Sequence, residues 1–177
     1  LNTKGVQKTK ELRQTIISLG VDICYTSPLL RTLETAFGLV ADKALIIKDD
    51  RLLERNMGIF DDKNIKEYNH EKYWDYNLNS SDDGVECLKD LFERCNNFLN
   101  DVISKNQDKK ILIVSHASVI RCMHHILRNT NLNNEKLSSI YDDINEGKKF
   151  IRLCYIIGTG VLIFFSLIVL YGVFFSK

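Results

Sequence analysis

The stretch Ile111-Leu112-Ile113-Val114-Ser115-His116-Ala117-Ser118-Val119-Ile120-Arg121 decides how this chain folds. Four consecutive aliphatics after Asp108-Lys109-Lys110 are the pattern of a short strand buried on both faces. That pattern belongs to the interior of a parallel sheet rather than to a half-wet antiparallel one. Beyond His116 the apolar residues fall at Val119, Ile120, Met123, Ile126 and Leu127, which is helical spacing. Ser115 and His116 therefore sit between a strand's carboxyl end and a helix's amino end. Open α/β sheets bind ligands there, because helix amides converge and carry partial positive charge. An imidazole in that place faces an anion site.

Working outward, the same arrangement occurs earlier in the chain. Asn2 caps a helix expected over 3–19 and ended by Gly20, with Leu12, Ile16 and Leu19 on its buried face. Residues 21–26 are β-branched, aromatic or small and read as a strand. Ser27-Pro28 breaks it, and a second helix is expected over 29–41 with Pro28 at a position compatible with its first turn. Arg31 falls in that first turn, where the helix end is already positive. A cation is well placed there when an anion lies between it and the amides. A third short strand is expected over 44–47. Glu54 follows Leu52-Leu53 and so belongs at the edge of the core. A partly desolvated carboxyl has a raised pKa and can serve as a general acid near neutrality. Residues 60–83, rich in Tyr68, His70, Tyr73, Trp74 and Tyr76, read as a cover over a pocket. A long helix is expected from Gly84 to about Ser104, its core stripe formed by Leu88, Leu91, Phe92, Cys95, Leu99 and Val102.

Composition limits the alternatives. The chain has 177 residues, enough for one domain and an appendage. A net charge of +1 gives no general pull toward nucleic acid. Cys24, Cys87, Cys95, Cys122 and Cys154 are odd in number and include no C-x-x-C pair, which suits reduced thiols better than disulfides or zinc. Cys122, His124 and His125 diverge too much on one helix to close a metal site. Residues 153–175, beginning at Leu153 and ending at Phe175, contain no charged, amide or histidine side chain. At about 1.5 Å per residue such a run spans a hydrocarbon layer of roughly 30 Å. The expectation is a domain over 1–147 and a single transmembrane helix within 148–177. Lys148, Lys149 and Arg152 precede that helix and only Lys177 follows it, which places the amino-terminal domain in the cytoplasm.

Five segments, in order, resemble the histidine phosphatase superfamily, the group that includes phosphoglycerate mutase. Leu1-Asn2-Thr3-Lys4-Gly5 with Gln7 is similar to its L-T-x-x-G-x-x-Q segment. Thr26-Ser27-Pro28-Leu29-Leu30-Arg31-Thr32-Leu33-Glu34-Thr35-Ala36 is similar to S-S-P-L-x-R-A-x-x-T-A, and Leu53-Glu54-Arg55-Asn56-Met57-Gly58 to L-x-E-x-x-G. Gly84-Val85-Glu86-Cys87 resembles its G-E-S segment, and Val114-Ser115-His116-Ala117 resembles V-S-H-G. The resemblance implies a three-layer α/β/α sandwich around a mostly parallel sheet. It implies that Arg31 and His116 bind the transferred phosphoryl group of a small phosphorylated metabolite. Glu54 would protonate the leaving alcohol, through a phosphohistidine formed on another histidine, with no metal or organic cofactor. The family carries that other histidine in an R-H-G motif at the end of its first strand, ahead of the segment that Leu1 begins. The expectation is therefore a domain lacking that strand, with a gap in its sheet. It would be a phosphomonoesterase whose nucleophile lies in a missing amino-terminal segment, or else an inactive, membrane-tethered anion-binding remnant. The interval from Glu54 to His116 is short, whereas the family's mutases carry a longer insertion there, which favours a phosphatase.

Overall fold

The computed structural model describes residues 1–129, 153–156 and 162–165. Its five strands are β1 (Ile23–Thr26), β2 (Leu45–Lys48), β3 (Lys110–Val114), β4 (Leu153–Ile156) and β5 (Leu162–Phe165). Among the described residues they form one sheet in the order β2-β1-β3-β5-β4. β1 pairs in parallel with both β2 and β3, β3 pairs in parallel with β5, and β4 runs antiparallel to β5.

Side-chain alternation along β1 and β3 sends residues to opposite faces of the sheet. Cys24, Leu112 and Val114 meet Ile16, Ala36, Leu39 and Val40 from α1 (Thr3–Ser18) and α2 (Leu30–Val40). Ile23, Ile111 and Ile113 meet α4 (Leu88–Lys105) and α5 (Ala117–Arg128) on the other face. Helices thus cover both faces of a largely parallel sheet, as the apolar run at β3 demands. Leu88, Leu91, Leu99 and Met123 are fully enclosed there, each contributing about 1.5–3 kcal/mol by burial. The Asn2 side chain accepts the Gly5 amide at 2.9 Å and starts α1 as expected. Residues 60–83 contain only short helical turns, of which α3 (His70–Tyr73) is one.

Four expectations are corrected. The cap of α2 is Leu29, so Pro28 precedes the helix instead of occupying its first turn. The long helix begins at Leu88 and not at Gly84. Gly84 has φ +75°, which no right-handed helix accommodates, and Val85 is drawn into a bridge with Met57. Two parts of the expected transmembrane run, β4 and β5, are strands of the sheet; 157–161 and 166–177 lie outside the described residues. No helix among the described residues is long and apolar enough to cross a membrane. The sequence pattern is shared by the two structures, since a strand enclosed by neighbours is as continuously apolar as a membrane helix. Finally, the expected gap in the sheet is not found beside β3, whose second edge is paired by β5.

The Met57–Val85 bridge clasps the loop bearing Glu54 to the loop before α4. Gly58 sits in the clasp at φ +56°, and a Cβ there would lie 2.1 Å from the Asp83 carbonyl oxygen and 2.6 Å from the Gly84 carbonyl carbon. Both obstacles are backbone and neither can swing aside. Gly58→Ala is expected to lower the unfolding free energy by about 1–3 kcal/mol in urea titration. An unchanged midpoint would show that the clasp is not a feature of the folded protein.

Candidate active site

Adjacent parallel strands in register bring two distant segments together. Thr26 of β1 pairs with Val114 of β3, and the Ser27 amide donates to the Val114 carbonyl at 3.1 Å. The residues just past both strands therefore emerge side by side at the carboxyl edge of the sheet. The Thr32 hydroxyl folds back on the Ser27 and Leu29 carbonyls, at 2.9 and 2.7 Å, and fixes the turn that delivers Arg31 into the first turn of α2. His116 caps α5 with extended backbone, and its ring makes no capping bond to the helix. Instead, Nδ1 lies 3.1 Å from Nη2 of Arg31 and Nε2 lies 2.9 Å from the Ser27 hydroxyl.

These contacts fix the protonation of the ring. A guanidinium only donates, so Nδ1 must accept and the ring proton sits on Nε2, where it donates to Ser27 Oγ. The imidazole is neutral. Burial first, then the charges of Arg31 and Arg94, push the His116 pKa down to about 3.

Glu54 reaches the site from a third segment. The Ser115 hydroxyl donates to the Leu52 carbonyl at 2.7 Å and ties the end of β3 to the loop that carries Glu54. One carboxyl oxygen accepts the Arg55 amide at 2.9 Å, and the Ser118 hydroxyl and amide also bond the carboxyl. Burial raises its pKa above the ordinary carboxylate range, while those donors and the Arg31 charge pull the other way without cancelling it. Arg31 therefore acts on both Glu54 and His116, and the three residues named from the sequence occupy one site.

The sequence reading missed two participants. Ser27 orients the imidazole and Ser118 holds the Glu54 carboxyl. Ser27 lies inside the motif that named Arg31 and Ser118 just past the one that named His116, but a hydroxyl after a strand or in a first helical turn is also an ordinary turn or capping residue. The remaining histidines lie elsewhere. His70 stacks on Trp74 at 5.7 Å between ring centroids, and His125 packs near Phe92. His124 and His125 follow His116 by eight and nine residues, roughly 12–13 Å along α5, too far to share a phosphoryl group with it. Among the described residues no cluster of three or more His, Cys, Asp or Glu could hold a metal ion.

A fold with this site belongs to a known class: the chain is a member of the histidine phosphatase superfamily (branch 1), whose family model matches residues 1–141. Phosphoserine phosphatase 1 of Hydrogenobacter thermophilus is 29% identical over 140 residues, which cover 75% of this chain and 66% of that protein. A probable phosphoglycerate mutase GpmB of Escherichia coli O1:K1 is 32% identical over 130 residues, covering 70% of this chain and 60% of its own length. The chain thus spans somewhat less than two thirds of these relatives. Among solved structures, Bacillus stearothermophilus YhfR superposes with a TM-score of 0.68 at 23% identity, over 78% of this chain and 71% of that one. The Entamoeba histolytica phosphoserine phosphatase in complex with 3-phosphoglyceric acid gives 0.60 at 25% identity, over 75% and 69%.

The His116 shift makes stability depend on pH. The unfolded ring titrates near 6.5 and the folded ring near 3, so the unfolded state binds the extra proton between those values. Stability from burying a neutral His116 is complete above about pH 6.5 and is lost as the pH falls toward 3. The unfolding free-energy difference between the native chain and His116→Gln is expected to shrink over that interval. A difference independent of pH would mean that the ring is protonated, or free to be, in the folded protein.

Proposed function

We propose that this chain forms the phosphoryl-binding and proton-donating part of a phosphomonoesterase acting on small phosphorylated metabolites. The observation that carries this reading is the 3.1 Å approach of Arg31 Nη2 to a neutral His116 Nδ1, with the Glu54 carboxyl, its pKa raised by burial, held at the same site. A guanidinium facing an imidazole lone pair is a meeting point that an oxyanion strengthens. The planar fork of Arg31 binds two phosphoryl oxygens. A dianion between the two groups favours the protonated ring, so Nδ1 changes from acceptor to donor and grips a third oxygen. Charge building on the phosphoryl group in the transition state is then met by two preorganised cations.

Glu54 supplies the second half of the reaction. Its pKa is raised by burial, which favours the protonated acid, and that proton goes to the alcohol oxygen as the P–O bond breaks. The attacking group in this reading is the histidine of the family's Arg-His-Gly segment, a motif that residues 1–177 do not contain. Its Nδ1 or Nε2 lone pair forms the P–N bond, and water then opens the phosphohistidine with Glu54, now a carboxylate, taking the water's proton. The family membership and the phosphoserine phosphatase relatives support this reading, as does the short interval between Glu54 and His116.

Two measurements test it. Calorimetric titration with inorganic phosphate is expected to show binding that Arg31→Ala and His116→Ala each weaken at least tenfold. Titration with sulfate, which carries no proton of its own near neutrality, is expected to take up a proton from buffer in the native chain and none in His116→Asn. No binding by either anion refutes the site. Hydrolysis of a chromogenic phosphate ester is expected at background for this chain and to appear when the upstream segment is restored. Background activity with that segment in place would leave an anion-binding domain that does not turn over.

A further inference from the structure

The loop that carries Glu54 is held from outside by a cation to which the reaction above gives no task. Arg94 lies on α4, its side chain 20% exposed, and its guanidinium is shared between two segments. Nη1 donates to the carbonyl of Arg51, ahead of Glu54 in the loop, at 2.6 Å. Nε and Nη2 grip the two Glu86 carboxylate oxygens at 2.6 and 3.0 Å. Glu86 in turn is joined to the residues just past Glu54. Its amide donates to the Asn56 carbonyl at 2.9 Å, and its own carbonyl accepts Arg55 Nε at 2.9 Å. Its carboxylate also accepts the Asn56 amide at 3.3 Å. The loop is thus fastened on both sides of Glu54, and these bonds lead, directly or through Glu86, to one guanidinium.

Residues 53–56 belong to no helix or strand, so a regular backbone does not fix where the Glu54 carboxyl points. Fastening from outside has to do so, and a bidentate guanidinium restrains its partners in orientation as well as in distance. The same charge reaches the imidazole. After burial and Arg31, it is Arg94 that disfavours a protonated His116 ring. That ring meets Arg31 from α2, the Ser27 hydroxyl past the end of β1 and the field of Arg94 from α4. The buried Glu54 carboxyl, its pKa raised, is the further ionisable group of the site. Paired opposite charges act more weakly at a distance than either alone, so Glu86 reduces the field of Arg94.

We infer that Arg94 is a positioning residue of the phosphoryl site: through Arg51 and Glu86 it holds the Glu54 loop against α4, and its charge opposes protonation of His116. This inference rests on the phosphoryl-site reading above. One side chain thereby acts, through other residues, on the acid and on the imidazole together. Substitutions separate the two effects. Arg94→Lys keeps the charge and loses the planar fork, whereas Arg94→Gln loses both.

The test follows the His116 ring by imidazole NMR in the chain saturated with sulfate, together with amide hydrogen exchange. In Arg94→Gln the pH midpoint of ring protonation is expected to rise by roughly half a unit, because an opposing charge is gone. Arg94→Lys should leave that midpoint in place. Glu86→Gln breaks the same ion pair but keeps the Arg94 charge, so its midpoint should stay or fall. Loosening of the fold alone would move all three variants in one direction. The Arg55 amide, which reports the Glu54 carboxyl it bonds, should exchange at least about tenfold faster in Arg94→Gln, while the Ile113 amide within β3 keeps its rate. A midpoint that does not rise in Arg94→Gln, or that rises as far in either other variant, would overturn the inference and leave the phosphoryl site standing. An unchanged Arg55 amide would do the same. Each variant has its own expected direction, so one that does not fold leaves the decision to the other two. Failure of the unaltered chain to bind sulfate would overturn the phosphoryl reading and this inference with it.

Discussion

The pairing of Thr26 with Val114 in adjacent parallel strands is the constraint from which the site follows. Arg31 and His116 are separated by 85 positions, yet each lies a few residues past the end of its strand, so the register of that one pair sets their separation. A slip of one residue would shift one strand by about 3.3 Å and send its side chains to the opposite faces of the sheet. The fold guards against this through the two apolar sets. Cys24, Leu112 and Val114 fit the α1–α2 layer, and Ile23, Ile111 and Ile113 fit the α4–α5 layer. Packing on both faces is therefore what holds a guanidinium against an imidazole.

Much of this was legible in the sequence because each junction has its own period change. The run Ile111 to Val114 switches to helical spacing after His116, and the run ending at Thr26 does so after Pro28. Glu54 was legible from the two leucines before it. The hydroxyls of Ser27 and Ser118 were not, because local patterning does not distinguish a serine that orients a catalytic group from one that ends a strand or opens a helix. The start of α4 was misplaced for a related reason: the glycine that looked like a helix boundary belongs to the clasp formed with Gly58, a contact between segments about 26 positions apart.

The apolar tail shows where composition alone misleads. Length and lack of charge favoured a membrane helix, but Leu162-Ile163-Phe164-Phe165 is equally suited to a strand, being aromatic and β-branched where a helix would favour other residues. Gly158 and Gly160 lie between the two strands that form. What selects the strand is the open edge of β3. Its unpaired amides and carbonyls need partners, and a parallel neighbour satisfies them.

One physical effect prepares both ionisable partners of Arg31. Withdrawal from water disfavours charge, so it raises the pKa of the Glu54 carboxyl toward the protonated acid and leaves the His116 ring without its second proton. Neutrality thus means opposite things for the two groups: one becomes a donor and the other an acceptor. The Arg31 guanidinium is the cation that both of them face. The site at rest therefore sets one cation beside a neutral imidazole and a buried carboxyl whose pKa is raised. In the proposed reaction an arriving phosphate dianion would reverse the balance at the ring alone, since negative charge favours the imidazolium but further disfavours ionised Glu54. The proton that the proposed reaction gives to the leaving alcohol would then be retained until the bond to phosphorus breaks. Substrate charge, rather than a conformational change, would in this way set the order in which the two groups act.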